Sequence, residues 1–191
     1  MSSIFTLAKR LSVAALSSIA IAGAVVAPAE AAPITNGCRA ATQPAIVLGK
    51  AGHLQVEIPA APGWHDIGLP KDARATDLGQ LRDAAGQDRL NASAGVLKPS
   101  ITTSAQLADA SLAGVQILSR RTVKGPCGLP TEAVTFQVAG GANQPPLYRI
   151  AWYTAMRYNS TTAGVDVSVG SYDRNRLPQL ENELLRGYGL I

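Results

Sequence analysis

The sequence predicts an α+β domain in which an antiparallel sheet is flanked by helices. Three observations carry that expectation. Apolar and polar residues alternate with period two in three consecutive segments of the second half; three other stretches repeat apolar residues at helical spacing; and the alternating segments are joined by short connections. Short connections between period-two segments favour an antiparallel meander, and a helix with one apolar stripe needs a sheet to cover.

The first 31 residues read as a secretory signal peptide. Lys9 and Arg10 supply the positive start, Leu11 to Val26 is an uncharged apolar run, and Ala29-Glu30-Ala31 places small residues where a signal peptidase reads, so cleavage is expected before Ala32. The run is 16 residues long and ends near Pro28, short of the ~20 needed to cross a bilayer as a helix. Without this segment 160 of the 191 residues remain, one domain's length, with no further long apolar stretch and hence an expected soluble mature form.

Residues 32 to 50 hold Pro33, Gly37, Pro44 and Gly49 with no sustained period, and read as a flexible lead-in to a single domain over 51–191. Leu54 to Ile58 alternates as a half-buried strand, stopped by Pro59, Pro62 and Gly63. Residues 77 to 90 fit a helix capped by Asp77, with Leu78, Leu81 and Ala85 on one side; 91–97 fits a short strand before Pro99. A second helix is expected over 104–118, capped by Ser104, with Leu107, Ala108, Leu112 and Val115 near one face. Then come three strands: one with Glu132, Val134, Phe136 and Val138 on one side; a long one with Tyr148, Ile150, Trp152, Met156 and Tyr158 on one face; and one with Val165, Val167 and Val169 around Asp166 and Ser168. A final helix is capped by Asp173 or Asn175, with Pro178 in its first turn and a stripe of Leu177, Leu180, Leu184 and Tyr188.

Charge excludes little but does not favour nucleic acid. Removing the signal lowers the basic count from 17 to 15 and the acidic count from 13 to 12, and only Arg120, Arg121 and Lys124 cluster, as a solvated face would. In an exported chain the two cysteines, Cys38 and Cys127, read as a disulfide. The rival for Cys38 is lipidation, but a lipobox wants Leu and small residues abutting the apolar run, and Ile34-Thr35-Asn36-Gly37 stands there instead. Two thiols and two scattered histidines do not make a metal site.

Searching for chemistry finds no catalytic residue to name. There is no Gly-x-Ser-x-Gly elbow and no phosphate-cradling loop opening a helix; Gly140-Gly141 reads as a hairpin turn. His53 and His65 are the available imidazole bases, with His65 read as a turn residue. Glu57 and Glu132 are read as surface carboxylates, and Asp166 as facing solvent or a cross-strand partner. The aromatics give the positive hint. Tyr148, Trp152 and Tyr158 share a strand face, which core packing explains, or which lines an apolar groove between sheet and helix with Trp64 as a further candidate contact.

The order of features resembles a known family. A strand runs into Pro-x-x-Pro-Gly-Trp at Pro59 to Trp64, and Cys-Gly-Leu-Pro at Cys127 to Pro130 leads into a strand, a long strand, a valine-rich strand and a terminal helix. This is similar, over residues 52–191, to the LpqN-type family of actinobacterial envelope lipoproteins and secreted antigens. The resemblance implies a PsbP-like α/β/α sandwich, an extracytoplasmic location and no established enzymatic activity, with no catalytic residue to carry over; no cofactor is expected. The missing lipobox departs from the lipoprotein members and points to release. The expected function is therefore non-enzymatic binding of an envelope lipid, glycolipid or protein. The alternatives are a protein-interaction or host-facing antigen module, and a cryptic hydrolase that would need a histidine or carboxylate pair in a concave site.

Overall fold

The computed structural model describes residues 32–33, 37–41, 43–50, 53–141, 144–158 and 160–191, with the side chains of residues 32, 33 and 158 left aside. The expected signal peptide lies outside the described residues. In chain order the elements are β1 (Ala32–Pro33), β2 (Ala45–Leu48), β3 (Val56–Pro59), β4 (His65–Asp66), β5 (Asp77–Arg82), β6 (Arg89–Val96), α1 (Ser104–Ser111), β7 (Gln116–Lys124), β8 (Pro130–Val138), β9 (Leu147–Tyr158), β10 (Thr161–Ser171), α2 (Leu177–Leu180) and β11 (Gly189–Leu190). The large sheet has the order β4-β5-β6-β10-β9-β8-β7, antiparallel throughout, with β1 added in parallel to β9; a small sheet has the order β11-β3-β2.

The three alternating segments of the second half form the meander β8-β9-β10, and their alternation divides the side chains between two cores. Ile150, Trp152 and Met156 of β9 and Val165, Val167 and Val169 of β10 enter the main core. There Leu177, Leu180, Leu184 and Tyr188 cover them, with Val56, Ile58 and Leu190 of the small sheet. The opposite register, Ala151 and Tyr153 with Val134 and Phe136, meets Ala108 and Leu112 of α1 in a smaller cluster. Helix, sheet, then helix with small sheet are the three layers, as the α+β expectation required.

Four local expectations are corrected. Residues 77–90 are not a helix but β5 and the start of β6, joined by a turn in which Asp83 Oδ1 accepts from Asp88 N at 2.9 Å. Gly79 and Gly86 oppose a helix there. A side chain at 79 would also strike Leu48, since a Cβ would stand 2.6 Å from Leu48 Cδ2. The pairing of Leu81 with Leu90, both fully buried, then selects the strand over the helix.

Helix α1 stops at Ser111 and Gly114, at φ +79°, turns the chain into the edge strand β7. Its cap is Thr103, whose hydroxyl accepts from Gln106 N while Gln106 reaches back in a capping box. Ser104 instead ties α1 to the sheet: its Oγ donates to Pro130 O at 2.7 Å and accepts from Ala155 N at 3.0 Å.

The terminal helix is broken into a 3-10 turn (Arg174–Arg176), α2 and a π-turn (Glu181–Leu185), with Asp173 capping the first. Its expected stripe is buried nonetheless. The lead-in contributes β2, and Cys38 bridges Leu190, so this segment joins the small sheet.

Candidate functional site

Helix α1 covers only the β8–β9 half of its face of the large sheet. Over β6 and β10 the same face carries Ser93, Gly95, Gly164, Asp166 and Ser168, small or polar residues that cannot fill the space, and a cleft of about 570 Å³ remains. Leu97, Leu107, Leu112 and Phe136 form its apolar wall. Gly164 lets that wall close in, because a Cβ there would lie 2.6 Å from Leu97 Cδ2 and 3.0 Å from Leu107 Cδ2.

The floor is polar. Arg149 Nη2 donates to Ser168 Oγ at 2.7 Å, while its buried Nε has no partner among the described residues. Ser93 Oγ donates to Asp166 Oδ1. Burial, the largest influence, pushes the Arg149 guanidinium below its ordinary value, against the pull of Tyr153 and Asp166. Burial likewise pushes the Tyr153 phenol up. A guanidinium donates and a carboxylate accepts, while hydroxyls do both, so the floor matches a group presenting donors and acceptors together.

For Asp166, burial outweighs the Ser93 hydrogen bond and the Arg149 charge, so the carboxyl is held above its ordinary value of 3.8. The folded chain then holds this proton more readily than the unfolded chain. This group's contribution to stability therefore declines as pH rises from the ordinary carboxylate range through the folded value. Asp166→Asn keeps an acceptor for Ser93 and is expected to flatten that decline. The check is the difference between wild-type and variant melting temperatures across pH.

A second hollow of about 830 Å³ adjoins the cleft and shares Arg74 and Ala94, Gly95 and Val96 with it. Leu54, Leu69, Leu78 and Ala163 make it largely apolar, and Lys50, His53 and Lys71 stand along it. Val96, at the common wall, is 75% exposed.

Of the residues expected to contact a ligand, none of the described side chains lines this cleft; Trp152 edges a smaller hollow on the other face of the sheet. Trp64 and Trp152 are buried in the main core, and Tyr148 packs half-buried against it. Trp152 Nε1 donates to Glu181 Oε1 at 2.9 Å, and its ring meets Tyr188 edge-on at 6.1 Å. Tyr158 ends β9 and its side chain lies outside the described residues. Core packing dominates this face of the sheet; the cleft lies on the other. Arg149 and Tyr153 lie in the register of β9 opposite to the aromatic face that the sequence singles out. The signal was there in Arg149, a charge inside the otherwise uncharged run from Leu147 to Met156.

The other singled-out groups are also settled by packing. Glu57 is not a surface carboxylate: it is buried, with Arg39 Nη1 at 3.0 Å and the amide of Ala40 at 2.8 Å. Glu132 is buried beside Arg120 Nε at 3.3 Å. Arg120 also pairs with Asp109, and Arg121 with Glu181, leaving Lys124 of that cluster without an ion pair among the described residues. Cys38 and Cys127 are bonded as expected. His53 and His65 are both exposed. His65 Nδ1 lies 3.5 Å from Gly63 O, and Asp66 Oδ1 accepts from Gly68 N, so no carboxylate orients this imidazole among the described residues. Among the described residues no three His, Cys, Asp or Glu side chains are grouped to hold a metal ion, and no helix is long and apolar enough to cross a membrane.

The fold and this site define an α+β sheet protein with an open, part-apolar and part-polar cleft between one helix and its sheet. No protein-family model matches the chain, and no curated protein matches its sequence. Among solved structures it is similar to the crystal structure of LpqN, involved in cell envelope biogenesis of Mycobacterium tuberculosis. The TM-score is 0.54 over 76% of this chain and 90% of that one, at 11% identity. The solution structure of cyanobacterial PsbP (CyanoP) from Synechocystis sp. PCC 6803 matches with a TM-score of 0.47 over 78% of this chain and 92% of that one, also at 11% identity. The likeness to LpqN is one of fold.

Proposed function

We propose that this chain is a non-enzymatic binding protein of the extracytoplasmic cell envelope that holds a lipid or glycolipid in the cleft beneath α1. The observation that carries the reading is the buried Arg149 Nε, left without a partner among the described residues on the floor of a cleft whose wall is Leu97, Leu107, Leu112 and Phe136. A buried polar atom with no partner is costly, and a ligand oxygen would satisfy it. The ligand's polar head sits on Arg149, Asp166 and Ser93, and its apolar part lies along the hollow that shares Val96. The mixture of guanidinium, carboxyl and hydroxyls supports a hydroxyl-rich head over a simple anion, which Asp166 would repel.

The envelope setting is supported by the signal-like start of the sequence, by the disulfide, and by the fold shared with LpqN, a protein of envelope biogenesis. Exported material is expected to begin at Ala32, which intact-mass measurement of the secreted chain checks. For the ligand, protein extracted from its native envelope is expected to carry lipid detectable by mass spectrometry. Arg149→Met is expected to lower that occupancy at least tenfold while Arg89→Met, on an exposed strand residue, leaves it unchanged. Lipid-free native protein that also takes up no added envelope lipid would overturn the reading.

A further inference from the structure

We infer that the end of the large sheet around Val96, together with the loop between β4 and β5, is a docking face for the surface of an anionic lipid bilayer. It goes beyond the lipid reading, because the face would dock whether or not the cleft beneath α1 is filled.

Exposed apolar side chains gather here. Seven large hydrophobic residues are exposed among the described residues, and three of them, Val47 (43%), Leu69 (41%) and Val96 (75%), line the one hollow of about 830 Å³. Hydrophobic residues exposed singly are ordinary, whereas a group of them rimmed by polar residues marks a contact surface. The loop that carries Leu69 is braced. Ile67 N donates to Gln80 O at 3.1 Å, Gly68 N to Asp66 Oδ1 at 2.8 Å, and Arg74 N to Asp77 Oδ2 at 2.9 Å.

Charge selects the partner. Lys50 and Lys71 line the hollow. Lys98 and Arg157 flank it, the first two residues beyond Val96 and the second opposite Thr162 on β10. All four are exposed and make no ion pair among the described residues. Of the nearby carboxylates, Asp77 is paired with Arg74, which leaves Asp66 and Asp72 against the four cations. Apolar side chains inside a basic rim match a bilayer surface, where apolar burial and attraction to anionic headgroups act together.

The path of the chain points the same way. Ala32, Met156, Ala163 and Val96 are successive partners in one row across β1, β9, β10 and β6. With strands about 4.8 Å apart, Val96 stands roughly 14 Å from Ala32. The apolar run of the signal-like segment ends at Val26. The residues between it and Ala32, 27–31, can span at most about 17 Å. In a precursor whose apolar run is still in the membrane, this row therefore stays beside the bilayer.

The test uses the exported, disulfide-bonded chain and co-sedimentation with vesicles, either phosphatidylglycerol mixed with phosphatidylcholine or phosphatidylcholine alone. The mixed vesicles are expected to bind at least tenfold more tightly. Leu69→Ser/Val96→Ser, altered only at exposed side chains and checked for an unchanged melting temperature, is expected to bind them at least tenfold more weakly, as is Lys50→Glu/Lys71→Glu. Ile117→Ser/Val138→Ser removes two exposed apolar residues from β7 and β8 instead, and is expected to bind as the wild type does. Equal binding to both kinds of vesicle, or undiminished binding by either double variant of the face, would overturn the inference. So would a chain that ignores vesicles but forms a dimer abolished by Leu69→Ser/Val96→Ser, which would give the face to a second copy. Lipid carried by the same material is measured separately by mass spectrometry. A chain that docks through this face yet carries no lipid supports this inference while counting against the lipid reading.

Discussion

Replacing Cys38 and Cys127 together by serine is expected to lower the melting temperature by roughly 10 to 15 °C. The bond spans 89 residues of sequence. On the chain-entropy account, releasing a loop of that size restores about 4 to 5 kcal/mol of freedom to the unfolded chain. Little in the folded state would compensate. Without the bond, the segment around Cys38 is held by its paired hydrogen bonds with Leu190, at 2.7 and 2.8 Å, and by Ala41 on Gly187. Thermal unfolding of the oxidised protein and the double variant measures the effect; equal midpoints would mean that the bond contributes nothing to stability.

Trp152→Ala is expected to cost about 3 to 5 kcal/mol in urea denaturation. The side chain is 4% exposed and packed among the main-core residues of β10 and the terminal helical segment. Its removal opens a void there and takes a hydrogen-bond donor from Glu181, which would retain Arg121. Trp152→Phe keeps most of the packing and is expected to cost about 1.5 to 3 kcal/mol, the scale of one hydrogen bond to a charged group. The pair of variants separates two readings of the same residue. A ligand contact at a groove mouth would lose binding at unchanged stability, whereas a core residue loses stability in proportion to the volume removed. Buried as it is, Trp152 is expected to behave as the second.

How much was legible depended on whether neighbours in sequence were also the deciding neighbours in space. The meander β8-β9-β10 was readable because each strand declares its two faces by its own alternation. The stripe Leu177, Leu180, Leu184 and Tyr188 was readable for the same reason, even though the backbone beneath it changes from a 3-10 turn to α to π geometry. Residues 77–82 were not readable. Leu78, Leu81 and Ala85 suit a helix when taken alone; what makes a strand of Leu78 and Leu81 is pairing across a hairpin turn with the strand that carries Leu90, and packing on Leu48 of β2, with Gly79 and Gly86 as the local residues that opposed the helix. Edge strand β7 was hidden by the apolar residues it shares with the end of α1, although Gly114 marked the boundary.

The site shows the same division. Asp166 drew notice as a charge between valines, and its cross-strand partner proved to be Ser93. Arg149 drew none, because it joins Ser168 on the neighbouring strand and its importance lies in a vacant Nε on a floor that exists only once β6, β9 and β10 are side by side. Likewise Glu57 looks like a surface carboxylate until Arg39 and the Ala40 amide are folded over it.

The sequence by itself determined the class of fold, the pairing of its two cysteines, and which face of each late strand is apolar. These follow from periodicity and from composition, which act over a few residues. Only the tertiary structure decided that the aromatic face of β9 is filled by the terminal helical segment, and that the opposite face, half covered by α1, is left open. That outcome turns on the length of α1 and on glycines and serines in β6 and β10. Whether small residues leave a cleft or are merely packed over is set by what lies across from them.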